Sequence, residues 1–316
     1  MSRRAGKKSW LPWLRLRSVQ FYNADAAMIT HPNVKINLGL HVLRKREDGY
    51  HELETLFVPY FGLSDTLEIT PLCPSDRTSC HSERTSCHSE RTSCHSERSE
   101  ESTIQIDYPS GQYWEPEKDL VWKAYQLLKA DFDLPPVQIR LTKTSPVGAG
   151  LGGGSADAAF ALRMLSELFG LQLPAASLAG YAARLGSDCP FFIYNTPMMG
   201  TGRGEILTPF DLDSVLGPEY EFRVVVPQDI HVSTADAYRG IVPRNVRKPA
   251  MEPLPLEEVL RSPVGLWRDS LVNDFEATVF AKYPALEALK NDLYEKGAVY
   301  ASMSGSGSAL FGIFRK

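Results

Sequence analysis

A glycine-rich run at residues 146–157, PVGAGLGGGSAD, is the segment of the sequence most suggestive of chemistry, because five of the seven residues at 148–154 are glycine. Such a run is costly to order, and the cost is understandable where backbone N–H groups must approach a ligand with no side chain between. A predicted helix opening at Ser155 or Asp157 adds unpaired N–H groups and a positive dipole end. The pattern predicts a phosphate site. Its residues are Pro146, Gly148, Gly150, Leu151, Gly152, Gly153, Gly154 and Ser155.

Two familiar phosphate loops fit this run poorly. A Walker A loop has Lys and then Ser or Thr after its last glycine, whereas Gly154 is followed by Ser155 and Ala156. Residues 148–153 satisfy GxGxxG, but they lie in mid-chain without a clear parallel βαβ unit or a following strand that ends in an acid. A P-loop NTPase and a Rossmann dehydrogenase are therefore disfavoured. A flexible connector is the remaining alternative, and the well-defined flanking elements disfavour it.

Length and charge limit the remaining classes of function. The chain has 316 residues, of which 43% are hydrophobic, and a net charge of −4. These values suit one large domain or two medium ones and disfavour nucleic-acid binding along the whole sequence. No run approaches the roughly 18–20 apolar residues of a membrane span. The five cysteines are an odd number and form no disulfide framework, so we expect a cytoplasmic protein.

Two segments differ from the rest of the chain. Residues 1–27 hold six basic residues and one acid, and we expect a disordered or wrongly started extension before Met28, with an export or transit leader as the alternative. Residues 77–102 contain three copies of Arg-Thr-Ser-Cys-His-Ser-Glu. The repeat has no apolar seam for a coiled coil and predicts a disordered insert that loops into solvent. Its Cys-His pairs leave metal binding open as an alternative function.

Strand and helix patterns are mixed along the remaining chain without a regular βαβ period, which predicts an α+β fold. Predicted strands lie at 34–43, 55–61, 66–70, 103–108, 137–143, 221–226 and 309–314. Predicted helices lie at 119–130, 155–169, 178–185, 234–239, 256–260 and 284–296. In the first strand, alternation places Lys35, Asn37, Gly39 and His41 on one face and the apolar residues 36, 38, 40 and 42 on the other. A polar row of this kind suits the floor of a cleft.

Three of these segments, in order, resemble motifs of the GHMP small-molecule kinase superfamily, which includes galactokinase, homoserine kinase and mevalonate kinase. They are the strand with Lys-Ile-Asn at 35–37, the glycine loop at 146–157 and the run MSGSGSA at 303–309. More closely, four segments resemble the branch that phosphorylates the 2-hydroxyl of a cytidine diphosphate-linked methylerythritol on the non-mevalonate route to isoprenoid precursors. These are 33–57, 185–192, 231–238 and 272–276. The resemblance spans 28–316 apart from the insert.

The resemblance implies a two-domain GHMP-kinase-like fold, with the active-site cleft between residues 28–211 and 212–316. It implies ATP and Mg²⁺ as cofactors and a small molecule as the other substrate. Asp188 matches the aspartate that accepts the hydroxyl proton, and Lys35 matches the lysine beside it. A nearby ammonium keeps such a carboxylate ionised and screens developing charge. Outside this motif, Asp188 would be interpreted as a turn or helix-capping acid.

The same resemblance implies a substrate pocket for the cytosine base. Tyr50 and His51 match residues that contact the cytidine, Tyr238 matches an aromatic residue that stacks on the base, and Asn37 is grouped with them. The family often has Ser-Ser after the glycines, whereas Ala156 stands at the second position here. The metal ligands therefore stay unassigned, as does the oligomeric state. Two alternative functions stay open. The protein could be another kinase of the superfamily, or a metal-binding protein that uses the Cys-His repeat.

Overall fold

The computed structural model describes residues 27–72, 101–108, 112–246 and 254–316. Most of the predicted extension at 1–27 and most of the predicted insert at 77–102, with its Cys-His pairs, lie outside the described residues. Across the described residues, no helix combines the length and the apolar character needed to cross a bilayer.

Strands and helices are interspersed through the described chain, as predicted. The strands are β1 (Met28–Thr30), β2 (Asn33–Lys45), β3 (His51–Ser64), β4 (Thr66–Pro71), β5 (Thr103–Asp107), β6 (Val137–Thr142), β7 (Met198–Thr201), β8 (Ile206–Pro209), β9 (Tyr220–Val225), β10 (Tyr300–Met303) and β11 (Leu310–Arg315). The helices are α1 (Leu120–Asp131), α2 (Gly153–Leu168), α3 (Ala175–Leu185), α4 (Cys189–Tyr194), α5 (Thr234–Tyr238), α6 (Leu256–Leu260), α7 (Trp267–Ser270), α8 (Glu276–Lys282) and α9 (Pro284–Glu295).

Each predicted element has a counterpart close to its expected bounds, whereas several short elements were not predicted. Among these are α4, β7 and β10, which have six, four and four residues. β10 is buried at every position, so it shows no alternation of apolar and polar residues. Elements this short and this buried give no periodic signal in the sequence.

The strands form three sheets, ordered β1-β4-β6-β5, β2-β3-β7-β8 and β10-β11-β9. In the first sheet β5 lies parallel to β6, and its other pairs are antiparallel. α1 to α4 contribute to the same apolar cluster as the first sheet. A second cluster joins β2 and β3 to the C-terminal part of the chain through Trp267, Tyr300 and Phe311. The glycine loop that precedes α2 therefore lies where these two bodies of structure meet.

A β-bulge interrupts the first long strand at Gly39. Leu38 pairs with Leu56 and Leu40 pairs with Thr55, so Gly39 has no partner on β3. Gly39 has φ +70°, and a Cβ at this position would lie 2.6 Å from a methyl carbon of Leu271. Glycine is therefore required here for both backbone conformation and space.

The bulge corrects the predicted alternation of the strand. Ile36 and Leu38 pack in one apolar cluster, but Leu40 and Val42 pack in another. The prediction of one continuous apolar face is wrong, because an extra residue changes the side to which the later residues point. His41, which was expected to extend the polar row, lies with Nδ1 3.5 Å from a carboxylate oxygen of Glu54.

The C-terminal end of the predicted insert also needs correction. Ser102 is part of the folded body, since its hydroxyl lies 2.6 Å from that of Tyr125 and accepts a hydrogen bond from the Val137 N–H at 3.2 Å. β4 ends and β5 begins beside the same end of β6, because Pro71 pairs with Val137 and Thr103 with Gln138. These two strand ends are separated by two strand spacings, or about 10 Å.

Deletion of residues 77–100 is expected to leave folding and catalysis intact. Residues 73–76 and 101 would still connect Leu72 to Ser102, and five residues span about 17 Å when extended. A deletion of 77–102 also removes the Ser102 hydroxyl, and should lower the free energy of unfolding by roughly 1–3 kcal/mol because it leaves the buried Val137 N–H without its acceptor. Urea unfolding of both variants checks this. Equal stability of the two deletions would contradict the role given to Ser102.

Candidate active site

The glycine loop connects β6 to α2 and ends directly at the start of the helix. Gly152 is the N-cap of α2 and has φ +71°. Because the first N–H groups of a helix have no partner within it, those of Gly153, Gly154 and Ser155 face the loop region as donors for an anion. The predicted residues line one cavity here, with the exception of Leu151. They are Pro146, Gly148, Gly150, Gly152, Gly153, Gly154 and Ser155.

The loop packs closely against two other parts of the site. A Cβ on Gly150 would lie 2.2 Å from the Ser304 carbonyl oxygen, and one on Gly152 would lie 3.1 Å from Cε of Lys35. The Leu151 side chain is buried, and its carbonyl accepts the Lys35 N–H at 2.9 Å. The glycines therefore allow close contact with Lys35 on β2 and with Ser304 in the C-terminal loop at 303–309, as well as the approach of a phosphate. This second purpose was not evident from the sequence.

Lys35 makes three polar contacts through its ammonium group. Nζ lies 2.5 Å from Asn37 Oδ1, 2.9 Å from the Gly150 carbonyl oxygen and 3.3 Å from Asp188 Oδ2. The Lys35 side chain is 4% exposed and that of Asp188 is 32% exposed. The ammonium is thus held inside the protein, while the carboxylate that it contacts is partly exposed.

Asp188 is positioned by the start of α4. It occupies the N-cap position of that helix, yet its side chain makes no capping hydrogen bond. The alternative of a simple capping acid therefore lacks the contact it requires. Burial, and then the negative charge of Asp188, raises the pKa of Tyr238 to about 12.

The aromatic residues assigned to the base are adjacent. The rings of His51 and Tyr238 are stacked, with centroids 4.8 Å apart and planes inclined by 20°. Tyr50 is 57% exposed, and the Arg203 guanidinium lies 5.0 Å from its ring centroid. Because the rings of His51 and Tyr238 touch, a base must lie against an outer face or separate the pair.

Asn37 differs from the other predicted substrate residues. It is 3% exposed, its Oδ1 accepts from Lys35, and its Nδ2 donates to Thr55 Oγ1 at 3.0 Å. Its polar groups are therefore directed to protein partners.

A buried ionic cluster beneath the glycine loop was missed in the sequence. Lys143 Nζ contacts carboxylate oxygens of Asp65 and of Asp157, the latter at 2.7 Å, and Ser145 Oγ donates to Asp65 at 2.6 Å. A Cβ on Gly153 would lie 2.5 Å from Ser145 Oγ. The cluster therefore supports the first residue of α2, and Asp157 had been considered only as a possible helix start.

The two carboxylates of this cluster differ in their proton affinity. Burial raises the pKa of Asp157 well above its ordinary value, although the Lys143 charge opposes this. Burial also disfavours ionisation of Asp65, but the charge and hydrogen bond of Lys143 outweigh it and lower the pKa of Asp65. The other oxygen of Asp157, Oδ1, is buried without a hydrogen-bond partner.

The described residues fit a magnesium ion only if phosphate supplies most of its ligands. Within them, no group of three or more His, Cys, Asp or Glu side chains could hold a metal. Mg²⁺ in kinases commonly takes one or two protein oxygens together with phosphate and water. The Ser155 hydroxyl lines the loop cavity and suits such a role.

Family models and solved structures of known proteins match this chain in both sequence and fold. The family model of the GHMP kinases N terminal domain matches residues 119–196, and that of the GHMP kinases C terminal matches 256–316. Solved structures of the superfamily share the fold at low identity. One is the mevalonate kinase of Methanococcus jannaschii, with a TM-score of 0.58 and 11% identity over 92% of this chain and 91% of that chain. The chain therefore has the two-domain α+β fold of the GHMP kinases, with the site in the cleft between the domains.

Two closer relatives narrow the class. A Bacteroides fragilis protein named 4-diphosphocytidyl-2-C-methyl-D-erythritol kinase is 48% identical over 287 residues, which are 91% of this chain and 92% of that protein. A crystal structure of 4-(cytidine 5'-diphospho)-2C-methyl-D-erythritol kinase has a TM-score of 0.67 and 31% identity, and covers 90% of this chain and 89% of its own. The chain belongs to the 4-diphosphocytidyl-2-C-methyl-D-erythritol kinase family, and it is a phosphotransferase with an alcohol group as acceptor.

The cluster beneath the loop predicts a pH dependence of stability. A folded-state pKa raised above the unfolded value favours the folded protein at low pH, and this contribution is lost as the pH rises through the folded-state pKa. Lowering the pH from 7 toward 4 should therefore stabilise the wild type relative to Asp157→Asn. The lowered pKa of Asp65 has the opposite sign, so its contribution is present above the unfolded pKa of about 3.9 and is lost below it.

Urea unfolding at pH 7, 5.5 and 4.5 measures these differences. We expect the stability of the wild type minus that of Asp157→Asn to rise as the pH falls. The matched difference for Asp65→Asn should stay nearly constant over the same range. An Asp157→Asn difference that is flat or that falls with pH would contradict the raised pKa of Asp157.

Proposed function

We propose that the protein transfers the γ-phosphate of ATP to the 2-hydroxyl of 4-diphosphocytidyl-2-C-methyl-D-erythritol, in the non-mevalonate route to isoprenoid precursors. The observation that carries the proposal is the contact of Asp188 with the buried Lys35 ammonium beside the glycine loop. The substrate is the one for which the relatives are named, and the inference to this chain rests on 48% identity over 91% of its length. In the same proposal, residues 28–211 and 212–316 are the two domains.

In the proposed reaction Asp188 is the general base. A carboxylate oxygen of Asp188 accepts the proton of the 2-hydroxyl, whose oxygen forms a bond to the γ-phosphorus while the bond from that phosphorus to the β,γ-bridging oxygen breaks and ADP leaves. Lys35 screens the negative charge that develops during transfer. Both groups are held before substrate binds, so little reorganisation accompanies the chemical step.

The proposed position of ATP follows from the donors of the glycine loop. N–H groups at the start of α2 would bind the phosphates, and the helix dipole favours their negative charge. Mg²⁺ would be held by the Ser155 hydroxyl together with phosphate oxygens, and would supply neutralisation of their charge. The loop, the Lys35 ammonium and the Asp188 carboxylate then converge on the transferred group.

The base pocket gives the proposed enzyme its specificity for a cytidyl substrate. Stacked rings of His51 and Tyr238, with Tyr50 nearby in sequence, offer aromatic faces and an imidazole to a cytosine.

Asp188→Asn tests the base directly. The amide keeps the size of the side chain but cannot accept the hydroxyl proton, so we expect kcat to fall roughly 10²-fold or more with little change in ATP affinity. Steady-state kinetics and ATP titration measure the two quantities. Asp213→Asn, at an exposed acid, is the matched control and should keep wild-type kcat. Near-normal turnover of Asp188→Asn would exclude its role as the base.

Substitutions in the base pocket test the substrate. Both His51→Ala and Tyr238→Ala should weaken binding of the cytidyl substrate by about 1–3 kcal/mol, through unpaired base edges and lost stacking respectively. The effect should appear mainly in the KM for that substrate, while ATP affinity stays near wild type. His31→Ala, at an exposed histidine, should leave both unchanged.

Cytidine nucleotides provide a second measurement on the same pocket. Free CMP or CDP should compete with the alcohol substrate and should not compete with ATP. If cytidine nucleotides fail to compete while mevalonate or a sugar is turned over, the substrate proposal is wrong and membership of the superfamily is unaffected.

A further inference from the structure

A chain of hydrogen bonds continues behind Lys35 into the sheet. Lys35 donates to Asn37 Oδ1 at 2.5 Å, Asn37 Nδ2 donates to Thr55 Oγ1 at 3.0 Å, and Thr55 Oγ1 donates to the Gly39 carbonyl at 2.6 Å. Lys35, Asn37 and Thr55 are each no more than 3% exposed. Beyond Lys35, the contacts in this series of hydrogen bonds are all made to protein atoms.

The direction of this chain is fixed at Thr55. The Gly39 carbonyl can only accept, so the one hydroxyl proton of Thr55 must be donated to it. Thr55 then has only lone pairs to offer to Asn37, and Asn37 must present its NH₂ group to Thr55. Its carbonyl oxygen is therefore directed at Lys35. The β-bulge contributes here, because Gly39 lacks a partner on β3.

The ammonium of Lys35 is held by three groups as a result. Two of its three N–H groups are donated to Asn37 Oδ1 and the Gly150 carbonyl oxygen, and Nζ forms an ion pair with Asp188 Oδ2 at 3.3 Å. If Asn37 turned its NH₂ group toward Lys35, one acceptor would be replaced by a donor that faces a cation. Lys35 would then have to rotate, and its contact with Asp188 would be lost.

We propose that Thr55 is a positioning residue, whose hydroxyl fixes the orientation of the Asn37 amide and through it holds Lys35 against Asp188. This inference rests on the proposed function only for its kinetic test. Thr55→Val keeps the shape of the side chain but offers Asn37 no acceptor. Thr55→Ser retains the hydroxyl and is the conservative variant.

The kinetic test compares these two variants in two backgrounds. Thr55→Val should lower kcat about 10- to 100-fold, in the range known for small misplacement of catalytic groups, with KM values for both substrates changed less than about threefold. Thr55→Ser should stay within about threefold of wild type. In a Lys35→Met background Thr55→Val should cause no further loss, because Thr55 acts through Lys35. Thr70→Val, in the β1-β4-β6-β5 sheet, is the control and should match wild type.

Crystal structures of Thr55→Val and Thr55→Ser provide a readout that is independent of activity. We expect the distance from Lys35 Nζ to Asp188 to exceed about 4 Å in the first, beyond a close ion pair, and to stay near 3.3 Å in the second. An unchanged distance and wild-type kcat in Thr55→Val would overturn the inference. So would an equal loss of kcat in both backgrounds, which is the result of a general structural effect.

If Thr55→Val yields no soluble protein, Thr55→Ala replaces it in both measurements. If the wild type does not phosphorylate the proposed substrate, but the crystal structures of the two variants show the expected Lys35–Asp188 distances, the proposed substrate is wrong and the positioning role of Thr55 stands.

Discussion

The site depends on the retention of one buried cation. An ammonium removed from water is strongly destabilising unless its charge and donors are matched, and Lys35 meets this requirement with an amide oxygen, a backbone carbonyl and the Asp188 carboxylate. These acceptors come from β2, from the glycine loop and from the start of α4. The elements must therefore keep their relative positions, and the site is preorganised because its charge is buried.

The glycine loop satisfies this constraint with the same residues that we propose bind phosphate. Gly150 contributes its carbonyl to Lys35 while its Cα lies against the C-terminal loop, where Ser304 Oγ donates to the same carbonyl at 3.1 Å. Ser304 Oγ also accepts the Asn37 N–H at 3.2 Å. The C-terminal MSGSGSA motif thus braces the loop and the strand together. A nucleotide that binds the loop would contact a structure already joined to Lys35 and Asp188.

The parts of the fold that were predictable are those with a local signal. α1 follows a capping acid, Asp119, and has an apolar stripe, and α2 follows a glycine run that few other structures could explain. The bulge at Gly39 was not predictable, because an isolated glycine in a strand has several meanings. The resemblance identified Lys35 and Asp188 as a pair, whereas their contact and their burial required coordinates.

Long-range contacts account for most of what the sequence did not reveal. Asp65 reaches Lys143 across 78 positions of the chain, and neither residue stands in a motif that suggests a buried cluster. Thr55 lies on a strand that the sequence pattern predicts, but that pattern does not indicate the hydrogen bonds of the Thr55 hydroxyl. Its role in orienting Asn37 was therefore not predictable. Polar groups of this kind become visible once each buried donor and acceptor has been given a partner.

If Lys35 and Asp188 act as one unit, a double-mutant cycle on phosphoryl transfer will show it. Single-turnover rates are measured for wild type, Lys35→Met, Asp188→Asn and the double variant with saturating substrates. If the pair is one unit, the double variant is no slower than the slower single variant to within a few-fold. A rate reduced by the product of the two single factors would contradict the account, because it would mean that each residue contributes independently of the other.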